Sequence, residues 1–186
     1  KETDYALITF AQHKTNKNCF IVVHYLKENH YSNPNLKGKK MAYLSEWLDK
    51  AKYEAICEGD DYWTDPEKLQ KQVNFLESNA EYSCCITRCV SFNVVTSKLH
   101  AICAESRENI KDMLYNDFQF ATCTIVYRRY YWDAYIKEIN PSSHNWLMGD
   151  RPLMLYLGYR GKVKILKKCT ATYRILKNSA SHSSDT

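Results

Sequence analysis

Strand-like and helix-like segments alternate along this chain. Runs rich in β-branched and aromatic residues predict strands, and apolar residues three or four positions apart predict helices. Strands are predicted at 20–25, 53–57, 82–95, 121–127, 162–166 and 170–173, and helices at 41–50, after 64, at 109–117, 128–139 and 150–159. The segment 5–12 is apolar enough for regular structure of either kind. The alternation favours an α/β fold.

The helix after residue 64 has two candidate starts. Thr64 and Glu67 have the spacing of a capping box, while Asp65 followed by Pro66 fits a cap one residue later. The residues expected on its buried face are Leu69, Val73 and Leu76.

Length and composition indicate one globular domain. The chain has 186 residues, of which 45% are hydrophobic and 13% aromatic, so a single sizeable core is expected over 1–186, with an atypical segment at 1–28 and a mobile tail at 178–186. No apolar run reaches the roughly 20 residues that span a bilayer, and the first residues lack the apolar core of a signal peptide. We therefore expect a soluble, cytoplasmic protein.

The chain has eight cysteines, and most lie in apolar runs, which predicts buried thiols rather than disulfides. The cysteines in such runs are Cys57, Cys84, Cys85, Cys89, Cys103 and Cys123. A zinc site is disfavoured, because no Cys-x-x-Cys pair occurs and a strand would point Cys84 and Cys85 to opposite faces.

Positive charge is concentrated in the segment 151–177, which has eight basic residues and no acidic one, within a chain of formal charge +5. A solvated surface, nucleotide phosphates and anionic lipid head groups all suit such a segment, which leaves peripheral membrane contact at the inner face open. No nucleic-acid motif accompanies the sequence pI of about 8.7, so nucleic acid is not an expected partner.

The residues Glu58-Gly-Asp-Asp-Tyr-Trp63 follow the predicted strand 53–57 directly. Three carboxylates within four residues repel one another, and this repulsion is relieved by a shared cation such as Mg²⁺ or Mn²⁺. The acidic turn, defined as Glu58–Asp61, is therefore the leading candidate for a metal site.

Four elements in order resemble the family 2 glycosyltransferases, in particular the bacterial branch with an E-G-D-D-Y-W motif. They are the segment 53–77, Thr122–Arg128, Gly149-Asp-Arg-Pro-Leu153 and Tyr173-Arg174. The resemblance covers roughly residues 29–183. It implies a Rossmann-like α/β core of the GT-A type, with an N-terminally truncated mixed sheet flanked by helices.

The same resemblance implies metal-dependent, inverting transfer of a sugar from a nucleotide-diphospho-sugar, most simply a UDP-sugar, to a saccharide or lipid-linked acceptor in bacterial surface polysaccharide synthesis. Mn²⁺ or Mg²⁺ would bridge the phosphates of the leaving group. Asp60 would contact the metal, Glu58 the metal or the ribose, and Asp61 the turn or the donor sugar. Arg174 is either a phosphate ligand or part of a surface pair, and Lys40 a contact to the nucleotide.

On the acceptor side, Asp150 matches the position of the family's catalytic base, although Gly-Asp before Arg-Pro-Leu also resembles a helix cap. Tyr62 and Trp63 are candidates for stacking on a sugar ring, and the alternative is a packing role. Trp146, near His144, is a candidate for shaping the acceptor site.

The chain departs from the family before residue 29, where the usual nucleotide-binding strands have no counterpart. We expect unpaired sheet edges there, completed by rearranged N-terminal residues, by a homodimer or by another chain. A catalytically incomplete binding or assembly module is therefore the alternative function. A glycoside hydrolase is a poor match, because its two carboxyl groups must face each other across the bond.

Overall fold

The computed structural model describes residues 1–29, 33, 44–45, 47–102, 110–115, 120–146 and 148–177. The chain divides into two compact units, Lys1–Lys50 and Ala51–Thr186. None of the helices in the described part has the length and apolar character needed to cross a bilayer. The predictions for Lys40, Cys103 and the tail 178–186 fall outside the described residues.

The first unit contains an antiparallel hairpin. Strand β1 (Ala6–Gln12) pairs with β2 (Phe20–Leu26) in a register that runs from Ala6 opposite Leu26 to Gln12 opposite Phe20. The predicted strand at 20–25 is thus confirmed. The rings of Phe10 and Phe20 stack 5.4 Å apart, and the Trp47 ring lies 4.9 Å from that of Phe20. Residues 44, 45, 47 and 48 are helical, in agreement with the predicted helix.

The second unit is built on a mixed sheet. Its strands are β3 (Tyr53–Ala55), β4 (Tyr62–Trp63), β5 (Tyr82–Asn93), β6 (Lys98–Ile102), β7 (Val126–Arg128) and β8 (Lys162–Ile175). The order is β3-β7-β5-β8-β4, with β6 paired to β5. Strands β5 and β8 are parallel and the other pairs are antiparallel. The predicted mixed α/β class is confirmed.

Four helices of the described residues accompany this sheet: α1 (Lys68–Ser78), α2 (Ile110–Tyr115), α3 (Arg129–Ile139) and α4 (Asp150–Arg160). Only Gly161 separates α4 from β8. A Cβ at this position would lie 3.0 Å from the backbone nitrogen of Ser83, so glycine permits the close approach of the helix end to β5.

The core has a layer on each face of the sheet. On one face, Leu153 and Leu157 of α4 pack with Cys84 and Val163, and on the other, Leu76 of α1 packs with Cys85, Tyr82 and Val126. Cys84 and Cys85 therefore point to opposite faces, as predicted.

Two predictions of secondary structure and one prediction of burial were wrong in detail. The strand expected at 121–127 is shorter, because Thr122–Thr124 forms a 3₁₀ turn in which the Thr124 hydroxyl donates to the carbonyl of Ala121 at 2.6 Å. Such side-chain bonds compete with the strand ladder. The two late strands form the single strand β8, which continues through a register shift. Cys57 is exposed, because it lies beyond the end of β3 at the start of the acidic turn.

The start of α1 also differs from the prediction. Glu67 is the N-cap residue, with no side-chain cap bond, and the Thr64 N–H donates instead to the carbonyl of Thr170 at 2.9 Å. Asp65 accepts the N–H of Glu67 at 3.0 Å, close to the alternative start. The predicted buried face is wrong at Leu69, which is 39% exposed. The buried residues are Lys68, Gln72 and Leu76.

Candidate functional site

The acidic turn connects two strands of the sheet. It follows β3 and leads directly into β4, whose Tyr62 pairs with Thr172 of β8. The Asp61 N–H donates to the carbonyl of Glu58 at 3.1 Å, which closes a tight turn. The turn is therefore fixed at the carboxyl-terminal part of β8.

Asp61 anchors this turn to β8. It is 8% exposed, and its Oδ1 accepts the backbone N–H of Arg174 at 2.9 Å. Its Oδ2 is buried and accepts no hydrogen bond from the described residues. Of the two roles predicted for Asp61, the structural one, holding the turn, is observed.

Arg174 holds the turn from the same strand. Its Nε donates to the backbone carbonyl of Asp60. Arg174 belongs to none of the ion pairs found among the described residues. The surface-pair prediction therefore has no support there. The guanidinium supplies a positive charge at the turn, and its two terminal nitrogens remain candidates for phosphate contacts.

Glu58 lies in an unfavourable electrostatic position. The residue as a whole is exposed, but partial burial of the carboxyl raises its pKa above the ordinary value, and the negative charges of Asp61 and Asp60 act in the same direction. The Glu58 backbone and the Thr122 side chain oppose this rise. A cation bound here would relieve the repulsion.

The residues present fit a divalent cation shared with a diphosphate. No three His, Cys, Asp or Glu side chains of the described residues converge as a metal-binding group. Mg²⁺, however, is commonly held by one or two carboxylates together with substrate phosphates, so Glu58 and Asp60 suffice. The buried Oδ2 of Asp61, which has no hydrogen-bond partner among the described residues, adds negative charge near Glu58.

The two aromatic residues after the turn differ in their contacts. Tyr62 is 49% exposed and Trp63 37% exposed. The Trp63 indole N–H donates to the carbonyl of Cys123 at 2.9 Å, so this ring is anchored to the 3₁₀ turn while part of it remains accessible. Trp63 therefore combines the packing role with a surface that a ligand can reach.

Sequence reasoning missed Lys68 and Gln72, which lie behind Trp63. The Lys68 ammonium lies 4.8 Å from the centroid of the Trp63 ring and donates to Oε1 of Gln72 at 2.8 Å. Burial lowers the pKa of Lys68 to about 8. Their spacing from Leu76 in steps of four was the available signal, since it places all three on one helix face.

A buried carboxylate fixes the start of α1 next to this network. Asp65 is 8% exposed, and its Oδ2 lies 2.8 Å from Nζ of Lys168 and 3.4 Å from Nζ of Lys71. The hydrogen bond from Lys168, then the Glu67 N–H and Lys71, lower the pKa of Asp65 to about 2. Asp65 thereby joins α1 to β8.

Replacing Asp65 with Asn is expected to lower the thermal midpoint at pH 7 by several degrees, because the Lys168 ammonium loses its carboxylate partner and Lys71 keeps only its pair with Glu67. A lowered carboxyl pKa adds stability above the unfolded-state value of 3.8, and this contribution is lost as the pH falls toward about 2. The difference between Asp65→Asn and the unsubstituted chain should therefore shrink between about pH 4 and 2, as urea midpoints at a series of pH values can show.

Glu67→Gln is the control for this prediction, because Glu67 pairs with Lys71 through a side chain that is 68% exposed. Its effect should be small. A difference between Asp65→Asn and the unsubstituted chain that stays constant across the acid range would contradict the assigned ion pair.

Asp150 begins α4 but does not cap it. The N-cap residue is Gly149, and Oδ1 of Asp150 accepts the N–H of Arg151 at 2.8 Å. The helix-cap prediction for Asp150 is therefore wrong, because the helix starts one residue earlier than a cap at Asp150 requires.

Trp146 lies in the segment that leads to Asp150. It is 42% exposed, and its ring stacks on that of His144 with centroids 4.5 Å apart and planes 6° apart. The His144 ring is held in turn, because its Nε2 lies 3.1 Å from the carbonyl oxygen of Ile139. The pair forms an ordered aromatic surface before α4.

Comparison with known proteins gives relatives of undetermined function. No family model matches the chain. It is similar to the uncharacterized protein Rv1520 of Mycobacterium tuberculosis and the uncharacterized protein Mb1547 of Mycobacterium bovis, at 30% identity over 131 residues in each case. These matches cover 67% of this chain and 35% of each relative, so the chain spans about a third of their length.

Proposed function

We propose that this chain is a glycosyltransferase of family 2 with a GT-A type core, which transfers a sugar from a nucleotide-diphospho-sugar to a saccharide or lipid-linked acceptor with inversion. The observation that carries the proposal is the acidic turn, with Glu58 and Asp60 presented on a loop that Asp61 and Arg174 fasten to β8. Bacterial surface polysaccharide synthesis is the process that we propose.

The donor would bind at the acidic turn. Glu58 and Asp60 would hold Mn²⁺ or Mg²⁺, which supplies the positive charge that stabilises a nucleoside diphosphate as it leaves. Arg174 would orient the phosphates through its terminal nitrogens. The raised pKa of Glu58 supports this assignment, because partial burial and, to a lesser degree, the negative charges of Asp61 and Asp60 disfavour its carboxylate, and a bound cation would offset both effects.

The acceptor would approach from the side of α4. Asp150 would take the proton from its attacking hydroxyl, which requires a carboxylate within hydrogen-bond reach of that oxygen. Trp146 and the exposed part of Trp63 would contact sugar rings, since aromatic faces pack on the apolar face of a pyranose. The support is that Asp150 begins α4, four residues after the exposed aromatic surface of Trp146.

Calorimetry with UDP, with and without Mn²⁺, tests the donor site. We expect UDP to bind only when Mn²⁺ is present, and Asp60→Asn to weaken this binding at least tenfold, because the amide keeps the shape of the side chain but lacks its charge. GDP in place of UDP shows whether the site selects the base.

The control is Asp4→Asn, an exposed aspartate of the first unit. It should bind UDP as the unsubstituted chain does. If neither UDP nor GDP binds with Mn²⁺, the transferase proposal for this chain fails. Equal binding by Asp60→Asn and the unsubstituted chain would instead show that Asp60 does not hold the metal.

One observation favours the alternative, a binding or assembly module without catalysis. Among the described strands, β3 lies at the edge of the sheet, with β7 as its only neighbour. An edge strand offers unpaired backbone groups to an added strand. Membrane contact through 151–177, self-association and the absence of nucleic-acid binding stay predictions.

A further inference from the structure

The buried face of α1 contains a positive charge with no carboxylate partner among the described residues. Lys68 is 1% exposed and belongs to none of the ion pairs of the described residues. Its ammonium has a hydrogen bond to the neutral amide of Gln72 and a contact with the face of the Trp63 ring. Burying an ammonium in this way costs stability, so packing alone does not explain a lysine at this position.

The two side chains that Lys68 contacts, Gln72 and Trp63, are themselves hydrogen-bonded to the backbone. Nε2 of Gln72 donates to the carbonyl of Thr124 at 2.9 Å and to that of Cys85 at 2.6 Å. The Trp63 indole N–H donates to the carbonyl of Cys123, the residue before Thr124. Lys68 thus contacts both Gln72 and Trp63, and each of these side chains donates a hydrogen bond to a carbonyl of the 3₁₀ turn.

Trp63 connects this network to the acidic turn. It lies two residues after Asp61, in the short strand β4, where it pairs with Ala171 of β8. A rotation of the indole would shift β4 and therefore the loop that contains Glu58 and Asp60. Arg174 fastens the loop from one side, and the Lys68 network fixes its continuation from the other.

We propose that Lys68 and Gln72 are positioning residues, which hold the Trp63 indole in one orientation and, through it, set the geometry with which the acidic turn binds a nucleoside diphosphate and its divalent cation. The inference rests on the proposed function for its ligand. A positioning role for Lys68 differs from a purely structural role in its effect on stability. A buried lysine without a counter-ion lowers the stability of the fold, whereas a structural lysine would raise it.

The test is Lys68→Met, which keeps an unbranched chain of similar length and removes the charge. We expect its thermal midpoint to equal or exceed that of the unsubstituted chain, and its affinity for UDP with Mn²⁺ to fall about fivefold. Acrylamide quenching of Trp63 fluorescence, isolated by subtracting the signal of the matching Trp63→Phe variants, should increase because the ring loses its contact. Lys137→Met, at an exposed position of α3, is the matched control.

Each outcome decides the inference. A Lys68→Met variant that fails to fold, or melts several degrees lower, assigns the amine a structural role and overturns the proposal. So does a variant with unchanged UDP affinity and unchanged Trp63 quenching. If the unsubstituted chain does not bind UDP with Mn²⁺, the proposed function fails, and the quenching and stability measurements alone decide whether Lys68 positions Trp63.

Discussion

Replacing Arg128 with Met is expected to lower the free energy of unfolding by about 3 kcal/mol, because a charged donor with several partly buried carbonyl partners is lost. Arg128 donates from Nη2 to the carbonyl of Leu76 at 2.5 Å and to that of Asn79 at 3.3 Å, and from Nε to the carbonyl of Tyr82 at 3.0 Å. Its Nη1 donates to the Tyr53 hydroxyl at 3.1 Å. A single side chain of β7 thus ties together α1, β5 and β3.

The position of Arg128 explains the size of this effect. The carbonyls of Leu76 and Asn79 lie at the C-terminal end of α1, where the helix dipole favours a cation. Each of them also accepts a backbone N–H, from Asn79 and from Tyr82 respectively, so removing the guanidinium takes away the second, charged donor of each carbonyl.

Urea unfolding measures the loss as a lower midpoint at an unchanged slope. Arg151→Met is the matched control, because Arg151 is exposed on α4 and its replacement should change stability by less than about 0.5 kcal/mol. Arg128→Lys should fall between the two, since an ammonium keeps the charge but cannot reach all four acceptors. Equal midpoints for Arg128→Met and Arg151→Met would show that α1 does not depend on this contact.

The elements that sequence patterns predicted well are those with a local signal. The helix at 128–139 and that at 150–159 were found to within a residue or two, because apolar spacing, the Pro141 after one helix and the Gly161 after the other are local features. The order of the strands was not predictable in this way. The antiparallel pairing of β3 with β7 joins residues about 75 positions apart, such as Tyr53 and Arg128.

In the candidate site, too, the local sequence motif was predictable and the contacts between distant residues were not. Three carboxylates within four residues identified the acidic turn from sequence alone, but the contact between Asp61 and Arg174 joins residues 113 positions apart. Lys68 and Gln72 were missed because apolar spacing was used to choose the buried face of α1. That face is polar at its first turns, since the carbonyls of the 3₁₀ turn require donors.

The acidic turn is held by the protein in a way that its sequence alone does not reveal. Three carboxylates were expected to need a cation from solution, yet Asp61 and Arg174 already fasten the turn to β8 through hydrogen bonds. A turn that is held in this way can stay folded without metal and still attract one when a diphosphate brings further ligands. Binding of metal and nucleotide is therefore expected to be mutually dependent.

Replacing Asp150 with Asn is expected to reduce the turnover of a nucleotide-sugar roughly 100- to 10,000-fold, which is the usual contribution of a general base. The amide keeps an oxygen that can accept the Arg151 N–H, so the first turn of α4 should be preserved. Binding of UDP with Mn²⁺ should stay within twofold of that of the unsubstituted chain, because the role that we propose for Asp150 is on the acceptor and not on the donor. The measurement is the release of UDP from UDP-glucose and related donors, with water or a saccharide as acceptor.

Two comparisons make this result decisive. Asp4→Asn should release UDP at the rate of the unsubstituted chain, which excludes a general effect of removing one carboxylate. Asp60→Asn should lose donor binding as well as turnover, whereas Asp150→Asn should lose turnover alone. If Asp150→Asn releases UDP as fast as the unsubstituted chain, Asp150 is not the base, and another group must accept the proton, because an acceptor hydroxyl cannot attack efficiently while it keeps its proton.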